Sequence, residues 1–235
     1  MGKTALISGT SRGLGIALVE IYLRSGWSVF AGARDISGPN LKALKETYKD
    51  ALTLVEMDIS STESVKAAAK LIKESAPTLN VIINNAATSD REGAKPIEEM
   101  DVDACLRVYN VNALGALRVI QAFLDYAGEG GLSVIANISS EAGSMENCHR
   151  DSGMDYAMSK AALNMGSVLV QRRLKDKKMK ILSIHPGWVQ SRPAPPKADF
   201  EPLEAALNIY NTINSFDGTV EGPVFINHDG NPMAF

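Results

Sequence analysis

Tyr156 and Lys160 are the two residues whose types and spacing most directly indicate chemistry. They lie four positions apart in a segment with a helical pattern, 156–174, so both side chains project from one face of the predicted helix. A tyrosine hydroxyl has a pKa of about 10 in water and exchanges protons poorly at neutral pH. A neighbouring ammonium group favours the phenolate, which makes the pair a candidate for general acid–base catalysis.

Two more polar positions accompany this pair. The apolar run 132–138 ends in Ser139 and Ser140, and Asn112 lies upstream of that run. A serine hydroxyl can donate a hydrogen bond to a substrate oxygen on which negative charge develops. Each residue also has a structural explanation, since the serines could cap the turn after a strand and Asn112 could cap a helix. Their occurrence together with the tyrosine–lysine pair favours a catalytic site.

A glycine-rich turn near the start predicts a nucleotide-binding site. The turn Gly-Thr-Ser-Arg-Gly-Leu-Gly follows the first apolar run and leads into a helical pattern. Glycines let the chain reverse tightly there, and backbone N–H groups can then approach a pyrophosphate at the start of the helix. Three glycines often mean no more than a tight turn, but the flanking strand and helix supply the context that the motif requires. The residues assigned to the nucleotide are Gly9, Ser11, Arg12, Gly13, Leu14 and Gly15.

The end of the second apolar run indicates which nucleotide is bound. A carboxylate at this position holds the ribose 2′-hydroxyl of NAD, whereas an arginine accepts the 2′-phosphate of NADP. The run ends at Ala33 and Arg34 follows it, with Arg12 as a second guanidinium. Asp35 is the opposing observation, because it could reach the ribose of NAD if the strand continued further. NADP(H) is therefore predicted in preference to NAD(H), and an ordinary solvated charge is the alternative explanation for Arg34.

The elements that must position these residues alternate along the chain. Short, continuous apolar runs are separated by helix-length segments, as in strands that are buried on both faces of a parallel sheet. The pattern predicts an α/β fold with a doubly wound parallel sheet of about seven strands. A capping signature of Ser60 and Glu63 begins the clearest of the predicted helices. The predicted strands span 4–8, 28–33, 53–57, 81–85, 132–138, 180–185 and 223–227.

Composition and charge exclude several classes of protein. The chain has 235 residues and a formal net charge of −3, which argues against a general nucleic-acid binder. No apolar run approaches the roughly 18 residues of a membrane span, and no signal peptide is expected. Two cysteines make no disulfide framework, so a reducing cytoplasmic location is expected. Cys148 and His149 are adjacent but lack further ligands, so no metal site is predicted.

With its motifs in this order, the sequence resembles the short-chain dehydrogenase/reductase family over essentially its whole length. The match extends to Asp58 after the third strand, Asn84-Asn85-Ala86 after the fourth and Pro186-Gly187 after the sixth. Within the family, the segments 185–189 and 227–230 are similar to the C-factor and Sniffer-type carbonyl reductases. The resemblance implies a single Rossmann-type domain over 1–235, with a cofactor half at about 1–130 and a catalytic and substrate half at about 131–235.

The resemblance implies a role for each matching residue. Tyr156 exchanges a proton with the substrate oxygen, and Lys160 lowers the pKa of that tyrosine and holds the nicotinamide ribose. Ser140 positions the substrate oxygen, and Asn112 interrupts its helix and holds a water in a proton relay. Asp58 is implied at the adenine, although it could instead cap the following helix. Further cofactor contacts are implied at Ile59, Asn85, Ala86, Pro186, Gly187, Val189 and Ser191.

The substrate pocket is predicted around Ser140 and a Pro-rich segment at 192–202, which is interpreted as a lid. Met145 lies in a stretch that is longer than is common in the family, and it is a candidate specificity residue, with simple packing as the alternative. Trp188 and the prolines of the lid favour an apolar substrate of small or medium size. Arg192 could bind a substrate carboxylate or could be a solvated charge.

The predicted activity is NADPH-dependent reduction of a ketone or aldehyde, with a small-molecule carbonyl or alcohol as the partner. One alternative is a nucleotide-binding signalling or interaction protein with little turnover, and the complete catalytic set argues against it. Another is a redox-neutral dehydratase or epimerase, for which the C-terminal region is short. No nucleic-acid or membrane partner is expected. The resemblance implies a homodimer or homotetramer, with a helix at 101–127 as the usual interface.

Overall fold

Seven parallel strands form one sheet in the part of the chain that the computed structural model describes, which is residues 2–126, 131, 133–177, 179–190, 198–216 and 222–235. The spatial order is β3-β2-β1-β4-β5-β6-β7, which confirms the predicted doubly wound α/β fold. The strands are β1 (Thr4–Ser8), β2 (Ser28–Ala33), β3 (Leu52–Glu56), β4 (Val81–Asn84), β5 (Val134–Ile138), β6 (Lys180–His185) and β7 (Val224–Asn227).

Helices cover both faces of this sheet, which explains why the strands are continuously apolar. Alternate residues of one strand serve different cores, so that Leu6 packs into one apolar cluster and Ile7 into the other. The helices are α1 (Gly13–Arg24), α2 (Pro39–Tyr48), α3 (Thr62–Ser75), α4 (Ala104–Tyr109), α5 (Ala116–Ala122), α6 (Met154–Arg173) and α7 (Pro202–Ser215). Helices α1 and α7 supply one cluster, and α3 and α5 supply the other.

Two predictions about helices need correction. The predicted helix at 101–127 is divided into α4, a π-helical segment at Asn110–Gly115 and α5. Helix α3 begins one residue later than the Ser60 and Glu63 signature indicates, because Ser61 is its cap and accepts a hydrogen bond from Ser64 N–H at 3.2 Å. The Ser60 hydroxyl instead donates to Asp58 Oδ1 at 2.7 Å, in the turn before the helix.

The sheet positions the candidate functional residues at one edge. The chain leaves β3 at the outside of the sheet and returns to β4 beside β1, so the strand order reverses direction at this point. Ligands of open α/β sheets bind outside the carboxyl ends of the strands at such a reversal. The glycine turn follows β1, and the two serines follow β5, so both lie at that edge. Among the described residues, no helix is both long enough and apolar enough to cross a membrane.

Candidate active site

Helix α6 brings Tyr156 and Lys160 together, as their spacing predicts. Lys160 is only 2% exposed, and its Nζ donates a hydrogen bond to the carbonyl oxygen of Ile138 at 2.6 Å. The same Nζ lies 5.4 Å from the centroid of the Tyr156 ring. Burial lowers the pKa of Lys160 to about 8. The ammonium is thus held at the end of β5, beside the tyrosine, in a place where its charge is poorly solvated.

The two serines after β5 have different surroundings. Ser139 is buried and its Oγ donates to Asn164 Oδ1 of α6 at 2.7 Å, which ties the strand end to the helix. Ser140 is hydrogen-bonded to the hydroxyl of Tyr156, and its Oγ also accepts from Ala142 N–H at 3.2 Å. Ser140 is therefore the serine that the structure brings to the tyrosine–lysine pair.

The electrostatic environment of Tyr156 differs from the expectation that its pKa is lowered by Lys160. Burial raises the pKa of Tyr156 above its ordinary value. The charge of Arg150 acts in the opposite direction, while the charge of Glu141 adds to the rise. In the protein by itself, the hydroxyl is thus protonated at neutral pH and is a proton donor.

Asn112 interrupts its helix, as the resemblance implies, because it lies in the π-helical segment between α4 and α5. Its side chain makes three hydrogen bonds within the protein. Oδ1 accepts from Thr88 N–H at 2.8 Å, and Nδ2 donates to Thr88 O at 2.8 Å and to Ser159 Oγ at 2.9 Å. The asparagine therefore joins the loop after β4 to α6, one residue before Lys160.

The glycine turn after β1 has a shape that side chains would destroy. A Cβ at Gly15 would lie 2.1 Å from the carbonyl oxygen of Gly9, and one at Gly9 would lie 2.5 Å from Ala86 Cα. Asn85 supports the turn from below, with Nδ2 donating to Ser8 O at 3.0 Å and Gly9 O at 3.2 Å. A Cβ at Gly13 would meet open space, so the turn leaves room above the start of α1.

The end of β2 separates Asp35 from Arg34, the two side chains that could bind the adenosine ribose or its 2′-phosphate. The strand stops at Ala33 and does not extend to Asp35. Asp35 is committed to a local turn, since its Oδ1 accepts from Ser37 N–H at 2.7 Å and Ser37 Oγ at 2.6 Å. Arg34 and Arg12 are both exposed and follow neighbouring strands, β2 and β1.

Asp58 and Ile59 follow β3, and both have structural contacts. Asp58 Oδ1 accepts hydrogen bonds from the N–H and the hydroxyl of Ser60 at 2.9 and 2.7 Å. Burial opposes ionisation of this carboxyl, but these bonds and the charges of Arg34 and Arg118 hold its pKa below the ordinary value. The Ile59 side chain is buried against Gly115, where a Cβ would lie 2.7 Å from Ile59 Cδ1.

The segment after β6 carries the remaining predicted cofactor and substrate residues. Pro186 and Gly187 begin it, and a parallel bridge then joins Val189 to Phe200. Trp188 is 59% exposed and Met145 is 83% exposed, so neither belongs to the core. The predicted contacts at Ser191 and Arg192, and most of the predicted lid at 192–202, lie outside the described residues.

A charged group beside Ser140 is absent from the sequence-based prediction. Glu141 accepts hydrogen bonds from Ser140 and Arg150, and its Oε2 lies 3.6 Å from His185 Nδ1. An acidic residue directly after the serine is a signal that the sequence contains. Its partner Arg150 is nine positions away in an irregular segment, so the pairing could not be read from spacing.

A cavity of about 900 Å³ lies at the opposite end of the sheet. Its lining includes Lys3 before β1, Asn80 before β4 and Lys180 at the start of β6. None of the candidate catalytic residues lines it. The cavity is therefore separate from the site at the carboxyl ends of the strands.

Comparison with known proteins agrees with this site. The family model of the short chain dehydrogenases matches residues 3–201, which is most of the chain. This protein is a short-chain dehydrogenase. An uncharacterized oxidoreductase of Schizosaccharomyces pombe is 32% identical over 191 residues, which cover 80% of this short-chain dehydrogenase and 74% of the relative.

Solved structures support the same family and fold. The NADPH-bound carbonyl reductase from chicken fatty liver superposes on this short-chain dehydrogenase with a TM-score of 0.88 and 26% identity, over 100% of this chain and 99% of the other. The carbonyl reductase Sniffer of Drosophila melanogaster gives a TM-score of 0.90 at 23% identity, over 100% of both chains. At that identity, the second likeness shows the fold alone. Carbonyl reductases are thus among the structures that this protein resembles, as its motifs predict.

Proposed function

We propose that this short-chain dehydrogenase is an NADPH-dependent carbonyl reductase that acts on a ketone or aldehyde of small or medium size. The observation that carries the proposal is the meeting of Tyr156, Lys160 and Ser140 at the carboxyl end of β5, at the sheet edge that also bears the glycine turn. A protonated tyrosine beside a serine and a buried ammonium is suited to donating a proton to a carbonyl oxygen.

The residues present fit a dinucleotide. The turn from Gly9 to Gly15 leaves open space above the start of α1, where backbone N–H groups favour a pyrophosphate. Among the described residues, Lys160 donates a hydrogen bond to Ile138 O, and an ammonium has three donors. The other donors of Lys160 would hold the hydroxyls of the nicotinamide ribose. When bound, the reduced nicotinamide supplies the hydride for the carbonyl carbon.

Residues of the protein would supply and replace the proton that the substrate oxygen receives. Ser140 would orient the substrate oxygen close to the Tyr156 hydroxyl, which transfers its proton to that oxygen. Negative charge then resides on Tyr156, and the Lys160 ammonium stabilises it. Both side-chain donors of Asn112 are used within the protein, so an oxygen of this residue would hold a water for reprotonation.

The preference for NADP(H) rests on Arg34 and Arg12. Both are exposed beside the strand ends where the adenosine ribose would lie, and guanidinium groups bind phosphate dianions well. Asp35 is occupied by its hydrogen bonds to Ser37 and lies beyond the end of β2, so it offers little to the ribose of NAD. The NADPH-bound state of the chicken reductase supports the same preference.

Replacing Arg34 with glutamine is expected to weaken NADPH binding by roughly 10- to 100-fold, the usual contribution of one charge-assisted hydrogen bond. NADH binding should stay within a factor of about two, because NADH has no 2′-phosphate. Nicotinamide fluorescence titrations with both nucleotides measure the effect. Arg173→Gln, at the exposed end of α6, is the matched control and should change neither affinity. An equal loss for NADH and NADPH in the Arg34 variant would contradict the assignment.

The substrate class follows from the exposed groups near the site. Trp188, after β6, and Met145, five residues after Ser140, present large apolar surfaces to solvent, which favours an apolar carbonyl compound. The carbonyl reductase from chicken fatty liver supports the same class of reaction. Met145, Trp188 and Arg192 remain the proposed specificity residues.

The experiment that tests the function combines binding with turnover. The purified protein is titrated with NADPH and NADH and then mixed with a panel of ketones, aldehydes and quinones while nicotinamide absorbance is followed. The proposal expects tighter binding of NADPH and loss of its absorbance with one carbonyl class. Binding without turnover would instead favour a signalling or interaction protein, and conversion without net redox change would favour a dehydratase or epimerase.

A homo-oligomer is also proposed, and it rests on an exposed apolar surface formed by α4 and α6. Leu106 of α4 is 69% exposed, and Met165 and Leu169 of α6 are 59% and 56% exposed. Such a surface in a soluble chain indicates a protein interface. Sedimentation velocity is expected to show a dimer or tetramer that dissociates in the variant Leu169→Glu. A wild-type monomer at micromolar concentration would contradict this proposal.

A further inference from the structure

Glu141 lies beside the tyrosine–serine–lysine site, and its carboxylate has two sets of donors. Oε2 accepts a hydrogen bond from Ser140 Oγ at 2.5 Å. Oε1 accepts from Nε and Nη2 of Arg150 at 3.0 and 2.5 Å. The side chains of Glu141 and Arg150 are 31% and 45% exposed, so the ion pair lies at the boundary between the site and solvent. The Arg150 guanidinium is also 5.7 Å from the centroid of the Tyr156 ring.

Ser140 links Tyr156 to Glu141 by two hydrogen bonds, and the donors and acceptors in this chain can be arranged in only one way. A serine hydroxyl has one proton to donate, and an ionised carboxylate can only accept. The proton of Ser140 is therefore directed at Glu141, and its oxygen accepts from the Ala142 N–H and from the hydroxyl of Tyr156. Tyr156 must keep its proton to complete this chain of hydrogen bonds.

Glu141 is ionised in this environment. Burial opposes ionisation, but the hydrogen bonds from Ser140 and Arg150 and the positive charge of Arg150 hold the pKa of Glu141 below its ordinary value. The negative charge at the end of the chain therefore persists at neutral pH. It disfavours a second negative charge on the Tyr156 oxygen, one hydroxyl away.

Arg150 offsets part of this charge, and the other titratable groups nearby do not cancel the rest. His185 Nδ1 accepts from the Glu141 N–H at 3.3 Å, which fixes its neutral tautomer, and burial lowers the pKa of His185. His228 and Asp199 act on His185 from its far side. Lys160 faces the Tyr156 ring from α6, and Arg150 faces it from the preceding segment.

We propose that Glu141 is a positioning residue that holds the Ser140 hydroxyl in the absence of substrate and keeps Tyr156 in its protonated, proton-donating form. The inference rests on the proposed function, in which Tyr156 supplies the proton for carbonyl reduction. The consequence is a site biased towards reduction, because alcohol oxidation requires the phenolate as a base. Arg150 has the opposite effect, since it neutralises Glu141 and faces the tyrosine ring.

The test measures the titration of Tyr156 directly and needs no substrate. The six tyrosines are replaced biosynthetically by 3-fluorotyrosine, whose more acidic phenol titrates where the protein is folded. Fluorine NMR then follows each residue, and the resonance that disappears in Tyr156→Phe is assigned to Tyr156. In Glu141→Gln, the Tyr156 titration is expected to move to lower pH by about one pH unit. In Arg150→Met, it is expected to move to higher pH.

The control is Glu146→Gln, an identical substitution at an exposed position in the same segment, which should leave the titration unchanged. Equal titration curves for Glu141→Gln and Glu146→Gln would overturn the inference. If Glu141→Gln fails to fold, the Arg150→Met variant still tests the inference. Titration of Tyr156 at an unchanged or lower pH in that variant would overturn it. Failure of the reductase proposal would show as absent turnover with this titration intact, so the two failures are distinguishable.

Discussion

Replacing Tyr156 with phenylalanine is expected to lower turnover by roughly 10³- to 10⁴-fold, at the upper end of what one acid–base group contributes. The variant keeps the aromatic ring, which lies beside Lys160 and Arg150, and loses only the hydroxyl that is hydrogen-bonded to Ser140. NADPH affinity should stay within a factor of about three, because the glycine turn and the end of β2 are untouched. Steady-state turnover and a fluorescence titration on the same preparation measure both quantities.

The matched control is Tyr109→Phe, which makes the same change at a tyrosine of α4 that is 42% exposed. That variant should keep wild-type turnover. Turnover in Tyr156→Phe that is within tenfold of the wild-type value would refute its role as proton donor. Loss of NADPH binding together with turnover would instead indicate that the Tyr156 hydroxyl holds the cofactor.

Replacing Lys160 with methionine is expected to lower turnover by at least about 100-fold and also to stabilise the folded protein. Turnover falls because the variant lacks the charge that stabilises the Tyr156 phenolate and the donors for the nicotinamide ribose. Stability rises because the wild-type ammonium is 2% exposed and its charge is poorly solvated. Burial lowers the pKa of Lys160 to about 8. Keeping it charged below that pH therefore costs roughly 3 kcal/mol, part of which its hydrogen bond to Ile138 O offsets.

The sign of the pH dependence follows from this shift. Between pH 8 and 10.5 the unfolded chain binds the Lys160 proton and the folded protein does not. The free energy of unfolding of the wild type should therefore rise with pH across this interval relative to that of Lys160→Met. Urea unfolding at pH 7 and at pH 10 measures the difference, with the exposed Lys66→Met as control. A stability difference that is independent of pH would contradict the buried, charged state of Lys160.

The positions of the main elements could be predicted because their signals are local. Strand β2 ends at Ala33, and the apolar run that predicts it ends at the same residue. The glycine turn is similarly evident, since the close approach of Gly15 to Gly9 leaves no room for a side chain. Tyr156 and Lys160 share a helix face, so their spacing alone is enough to bring them together.

Other features of the site depend on contacts between distant parts of the chain. The side chain of Asn112 is committed to Thr88 and Ser159, which lie on two other segments, and its spacing in the sequence does not reveal either partner. Glu141 and Arg150 meet only because the irregular segment between them folds back. The raised pKa of Tyr156 follows from burial, which depends on the whole packed site. The capping error at Ser60 has a local origin instead, since its hydroxyl bonds to Asp58 two residues earlier.

The central claim, that the protein transfers hydride from NADPH to a carbonyl carbon with Tyr156 as the proton donor, is most directly tested by isotope transfer. NADPH deuterated at C4 of the nicotinamide is mixed with the purified protein and a carbonyl compound that consumes it, and the product is analysed by mass spectrometry. The account predicts an alcohol with deuterium on the former carbonyl carbon, formed in equal amount to the NADPH consumed, and formed by Tyr156→Phe roughly 10³- to 10⁴-fold more slowly. A protein that binds NADPH but consumes it with no carbonyl of the panel, or a product without deuterium from either face of C4, would contradict it.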